Sequence, residues 1–145
     1  MKPVLVLSGP NLARLGSREP DVYGTTSYAD LARLIEGWAR DLGFTADIRQ
    51  TDSEAELIGW LHEAADAGTD VVINPAAFTH YAYAVRDAAA QVRSAGAQLI
   101  EIHLTNPATR ERFRHLSVIA GVATGTIAGF GPGSYHLALR AIADD

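Results

Sequence analysis

The 145-residue chain contains no cysteine and only one lysine, Lys2. The first absence excludes disulfides, thiolate nucleophiles and every cysteine-ligated metal or iron–sulfur site. The second leaves Schiff-base chemistry a single candidate residue, at the start of the chain. Positive charge is also short: 12 Lys and Arg face 17 Asp and Glu, so the net charge of −5 offers no global basic field to nucleic acid or anionic lipid. Long hydrophobic runs are missing. Val4-Leu5-Val6-Leu7 is too short for the core of a signal peptide. The longest uncharged window, 116–135, is broken by Ser117, Thr124, Thr126 and Gly131-Pro132-Gly133. It reads as a buried strand followed by a glycine loop rather than a membrane span. A glycine-rich dinucleotide fingerprint, a Walker lysine, a Gly-x-Ser-x-Gly elbow and a His-Glu-x-x-His motif are absent too. With 48% apolar and 20% charged residues, the chain is expected to form one cytoplasmic domain over 1–145, with no membrane or nucleic-acid partner.

Short apolar runs at 4–7, 44–48, 71–73, 99–104 and 122–127 read as strands. Stretches of helical period separate them. After Ser27, the residues Leu31, Leu34, Ile35, Trp38 and Leu42 form one apolar face, which Gly43 ends. Ser53 and Glu56 have capping-box spacing ahead of Leu57, Leu61, Ala64 and Ala65, with Gly68 as the stop. Further helices are expected over 82–94 and 135–142, and the six prolines avoid helix interiors. This alternation predicts an α/β fold, a flavodoxin-like three-layer sandwich around a five-stranded parallel sheet of order 2-1-3-4-5. Ligand should then bind beyond the carboxyl ends of strands 1 and 3, where the winding direction reverses.

The polar residues collect where that architecture requires them, directly after strands. Asn11 follows strand 1 and opens a long connection holding Arg14, Arg18 and Tyr23, with the length of an active-site lid. Asn74 and His80 follow strand 3; Glu101, His103 and Thr105 end strand 4, ahead of the pair Arg110 and Arg114. Taken alone, Arg14 and Arg18 read equally as solvated charges, and Asn11 and Asn74, each near a proline, as turn residues. His62, beside Glu63 on a helix, reads as a surface histidine, and His115 and His136 as structural. Glu101 and His103 stand apart. At i and i+2 of a strand they share a face, and a carboxylate inside a parallel strand is costly without a compensating partner. A carboxylate orienting an imidazole is an acid–base device. The residues leave three readings open: proton-transfer chemistry on a small oxygen-rich anion, a facial metal site made of His80, His103 and Glu101, or a binding module for a polyol acid or nucleotide.

Longer segments carry a resemblance. Gly9-Pro10-Asn11-Leu12, Arg18-Glu19-Pro20, Tyr23-Gly24, Asp52-Ser53-Glu54, Asn74-Pro75-Ala76-Ala77, Thr79-His80, Arg86-Asp87-Ala88 and Glu101-Ile102-His103 closely resemble, in order, the type II 3-dehydroquinate dehydratases. The resemblance implies a flavodoxin-like, cofactor-free lyase that forms 3-dehydroshikimate by anti elimination of water through an enolate. It implies Tyr23 as base with Arg18 favouring its phenolate, Asn11 holding the enolate oxygen through a water, and His103 as acid oriented by Glu101. Asn74, His80, Leu104, Thr105 and Arg114 match substrate-binding positions. Asp87 matches a residue that completes a neighbouring subunit's pocket in a trimer, within a dodecamer. Thr105, Tyr81-Ala82, Ser117-Val118 and Gly133-Ser134-Tyr135 depart from the family pattern without removing an acid, base or arginine. In this setting the lone Lys2 closes the imine route of type I dehydratases, so proton removal must be direct.

Overall fold

Five strands, β1 (Lys2–Ser8), β2 (Phe44–Gln50), β3 (Asp70–Asn74), β4 (Leu99–His103) and β5 (Gly125–Ala128), pair in parallel in the order β2-β1-β3-β4-β5. The winding is the one expected from the alternation of elements. The structure is a computed structural model that describes residues 1–17 and 19–145, with Tyr23 described by its backbone. The helices are α1 (Pro20–Tyr23), α2 (Tyr28–Asp41), α3 (Glu54–Ala67), α4 (Tyr83–Ser94) and α5 (Gly133–Ala143). The pleat divides the apolar side chains between the two faces of the sheet. Val4, Val6, Val72, Ile100 and Ile102 join the residues of α2 and α5. Leu5, Leu7, Val71, Ile73 and Leu99 join those of α3 and α4. Being buried on both faces, β1, β3 and β4 read as near-continuous apolar runs.

Ser27 caps α2 by accepting from the Asp30 N–H, and Ser53 caps α3 by accepting from the Glu56 N–H. The second arm of the expected capping box is replaced: Ser53 N–H donates to Thr51 Oγ1 at 2.9 Å. Gly43, Gly68 and Gly96 stop their helices in left-handed conformations at φ 87°, 66° and 88°. The expectation for 116–135 needs correction. The fifth strand starts at Gly125 rather than at 122, and its first residues are exposed rather than buried. Ser117 Oγ accepts from the N–H groups of Ile119 and Ala120, which winds that segment into a 3₁₀ turn over Ala120–Val122. β5 is then an edge strand with β4 as its one neighbour. Among the described residues, no helix is long and apolar enough to cross a membrane.

The long connection over 9–27 is anchored at its start by Leu12 and Leu15, which are buried in the α2–α5 core. Gly9 lies where β1 and β3 hand over to their loops. A Cβ there would stand 2.6 Å from the Pro75 carbonyl oxygen. Only glycine lets the two strand ends approach this closely.

Candidate active site

Two polar networks close the carboxyl end of the sheet, one on each face. On the α2–α5 face, Ser8 Oγ lies 2.8 Å from the Tyr135 hydroxyl, and Asn74 Nδ2 donates to that hydroxyl at 3.2 Å. All three residues are buried. Burial pushes the Tyr135 phenol up to about 12, against the opposing hydrogen bonds of Ser8 and Asn74, so it stays neutral. Asn74 Oδ1 accepts from the Ala76 N–H at 3.2 Å, which fixes the orientation of its carboxamide. Asn74 therefore fills both roles open to it, turn residue and polar floor of the site.

On the α3–α4 face, Glu101 is 1% exposed. Its Oε2 lies 2.5 Å from His103 Nε2 and 2.5 Å from Thr79 Oγ1, and Ser117 Oγ donates to Oε1 at 2.8 Å. Burial alone would raise the carboxyl pKa, but the hydrogen bonds from His103, Thr79 and Ser117 and the His103 charge outweigh it and hold the group below its ordinary value. The compensation expected from one imidazole is thus shared by three donors. Thr79 and Ser117 were missed as partners from sequence. The available signal was energetic: a fully buried carboxylate needs more than one hydrogen bond.

Between these networks opens a cleft of about 260 Å³, extending from the loops after β1 and β3 to the end of β4. Of the residues singled out in the sequence, Asn11, Asn74, His80, His103, Leu104, Thr105 and Arg114 line it. Arg110 and Phe113 line it too. The carbonyl of Leu116 can only accept, so His80 donates to it through Nδ1, at 2.7 Å. Arg114 stacks over the Phe113 ring at 4.6 Å and pairs with Glu111 at 3.0 Å. Arg110 approaches Thr105 Oγ1 at 3.5 Å and Glu19 at 3.8 Å. Asn11 adopts a left-handed conformation (φ 70°), held by its N–H donating to Asp52 Oδ1 at 2.8 Å. Among the described residues the cleft carries arginine and histidine but no carboxylate of its own, the electrostatics of an anion site.

The remaining expectations fall elsewhere. Asp87 stands on the exposed side of α4, paired with Arg86 at 3.0 Å, and does not reach the cleft of its own chain. Arg18 and the Tyr23 side chain lie outside the described residues. Arg14 is exposed and does not line the cleft. Among the described residues no three His, Asp or Glu converge as a metal site requires, so His80, His103 and Glu101 do not form the facial triad. His136 is structural as expected, stacked on Trp38 at 4.7 Å. Lys2 pairs with Asp70 at 3.1 Å, at the amino end of the sheet. A seven-residue strand separates it from the cleft, roughly 20 Å at the usual rise.

Comparison with known proteins adds identity to this geometry. The family model described as "Dehydroquinase class II" matches residues 2–143. The 3-dehydroquinate dehydratase of Salinispora tropica is 59% identical over 140 residues, covering 97% of this chain and 96% of that protein. That of Mycobacteroides abscessus is 54% identical over 137 residues, covering 94% and 93%. The crystal structure of the type II dehydroquinase from Propionibacterium acnes superposes with a TM-score of 0.96 at 52% identity, covering 100% of this chain and 98% of that one. Strand order, cleft and end-to-end similarity agree: the chain belongs to the class II dehydroquinase family.

Proposed function

We propose that this protein is a 3-dehydroquinate dehydratase, a hydro-lyase that forms 3-dehydroshikimate by anti elimination through an enolate. The observation that carries the reading is the Glu101–His103 pair, 2.5 Å apart at the wall of a cleft whose other ionisable lining groups are His80, Arg110 and Arg114. Elimination next to a ketone needs a base for the carbon-bound proton, a donor for the enolate oxygen and an acid for the departing hydroxyl. Tyr23 takes the proton as phenolate, with Arg18 supplying the cation that favours that form. The C–H electron pair passes into the enolate, whose oxygen Asn11 holds through a water. As the ketone re-forms, the C–O bond breaks and His103 protonates the leaving oxygen, releasing water. His80, Arg114, Asn74 and the Leu104-Thr105 segment hold the carboxylate and ring hydroxyls. The chemistry uses no cofactor.

The reading extends to context: a cytoplasmic single-domain enzyme in the shikimate pathway or in quinate catabolism, assembled as trimers within a dodecamer. Asp87, exposed on α4, would then serve the cleft of a neighbouring subunit. The direct test is ultraviolet absorbance of the conjugated enone formed from 3-dehydroquinate. Turnover by the folded protein is expected, with Tyr23→Phe abolishing it; no product from folded protein across a broad pH range refutes the assignment.

A further inference from the structure

Glu101 orients His103, but Glu101 is itself held by two hydroxyls that have no part in the chemistry described so far. Counting protons shows what they do. Ser117 Oγ accepts from the N–H groups of Ile119 at 3.1 Å and Ala120 at 2.9 Å, which occupy both of its lone pairs. Its one proton is shared between the carboxylate, 2.8 Å from Oε1 and 3.0 Å from Oε2, and Thr79 Oγ1 at 2.6 Å. Thr79, 1% exposed, places its hydroxyl proton on Oε2 at 2.5 Å. The two hydroxyls lie 2.6 Å apart and are kept in register by backbone: Val118 N–H donates to the Thr79 carbonyl at 2.7 Å, and His80 Nδ1–H to the Leu116 carbonyl at 2.7 Å. A carboxylate receiving the Thr79 proton and a share of the Ser117 proton acts as an acceptor toward its third neighbour. The proton on the 2.5 Å line to His103 therefore belongs to Nε2, and Nδ1 is the ring nitrogen available to a ligand.

We infer that Thr79 and Ser117 are positioning residues for the elimination: by keeping Glu101 an obligate acceptor they fix a proton on His103 Nε2, so that Nδ1–H is the proton given to the leaving hydroxyl. The inference rests on the proposed role of His103 as the acid. When Nδ1 gives up its proton, the C–O electron pair stays with oxygen and water departs. The imidazole is left neutral in the Nε2–H form, with no ring rotation. The other ionisable groups lining the cleft and the second cavity beside His103 are His80 from the turn after β3, and Arg110, Arg114 and His115 from the segment after β4. Among the described residues Glu101 is the one carboxylate facing either space. Among the described residues the Nε2 proton of His103 therefore rests on Glu101, and Glu101 on the two hydroxyls.

The test follows His103 directly by magnetic resonance in protein carrying isotopically labelled histidine, alongside steady-state kinetics. The parent protein is expected to show neutral His103 as the Nε2–H tautomer. Thr79→Val keeps side-chain volume and removes the proton. It is expected to mix the His103 tautomers. In the same variant kcat falls by roughly tenfold to a hundredfold with KM little changed. Thr79→Ser, which restores the hydroxyl, is expected to recover both. A parent-like tautomer and kcat in Thr79→Val overturn the inference, as does Thr79→Ser being as impaired as Thr79→Val. Should Thr79→Val not fold, Ser117→Ala carries the same expectations and the same refutation. The tautomer is read without substrate, so it decides the inference even if the dehydratase assay fails.

Discussion

At the amino end of the sheet, helices pass into strands through short turns whose left-handed positions are Gly43, Gly68 and Gly96. The one buried acid there, Asp70, is paired with exposed Lys2 and caps the Gln98 N–H. At the carboxyl end, positive φ falls on Gly16, Gly24, Gly129 and Gly131 but also on residues with side chains: Asn11, Glu19 and Ala76, at φ 70°, 40° and 51°, are the non-glycine cases among the described residues. Buried Ser8, Asn74, Thr79 and Glu101 lie at the same end. One end thus uses the residue that each backbone conformation favours, while the other tolerates strain and buried polarity. Strain of this kind persists only where the surroundings over-determine it, and it concentrates at binding sites. The same sheet has a stability end and a chemistry end.

The contrast can be broken experimentally, and the largest effect should come from His103→Ala. Removing the proposed acid is expected to lower kcat by about two to four orders of magnitude while the thermal midpoint stays within a few degrees of the parent. Steady-state assays and a melting curve check it together. Loss of the fold instead would mean that the chemistry end also carries the stability.

Gly9→Ala comes next. Its Cβ would meet Pro75 backbone at 2.6 and 2.9 Å, so the β1 and β3 loops must separate. A destabilisation of about 2–3 kcal/mol in a denaturant titration is expected, with loss of activity because Asn11 and Asn74 both move.

The acid limb of stability tests the Glu101 network. Its folded pKa lies below the ordinary 4.5, so its contribution is complete above that value and is lost as pH falls through the lower, folded one. Stability should decline below about pH 4.5, and Glu101→Gln should flatten that decline, measured by denaturation at several pH values. An unchanged slope would show that Glu101 is not held ionised.

The smallest effects form a mirrored pair across the two ends. At Gly68, where φ is 66° and open space surrounds the Cα, Gly68→Ala is expected to cost about 1 kcal/mol, with kcat unchanged. Ala76→Gly should release strain and gain about 0.5 kcal/mol, while loosening the carboxamide of Asn74 enough to raise KM. Melting curves with kinetics on both variants check the pair.

Much of this contrast was legible in the sequence, for local reasons. Strand and helix faces follow from periods of two and 3.6, and the stops at Gly43 and Gly68 from backbone conformation. The Glu101–His103 pair follows from i, i+2 spacing within one strand. Where expectation missed, the cause was a side chain bonding backbone two or three residues away, which hydrophobic periodicity does not report. The fifth strand began late because Ser117 captures the N–H groups of Ile119 and Ala120. Half of the capping box at Ser53 was lost because Thr51 competes for the same N–H.

By itself, then, the chain's order of residues determined the alternation of elements, the strand order, the absence of an available lysine at the cleft, and which strand ends carry the chemistry. Only tertiary structure decided which side chains complete them. Tyr135 reaches Ser8 and Asn74 from the last helix, Thr79 and Ser117 close on Glu101 from two different loops, and Asp87 faces away from its own cleft. The physical reason is that periodicity governs which face a side chain takes. A buried polar group, in contrast, is satisfied by whatever donor the packed fold brings within hydrogen-bond distance.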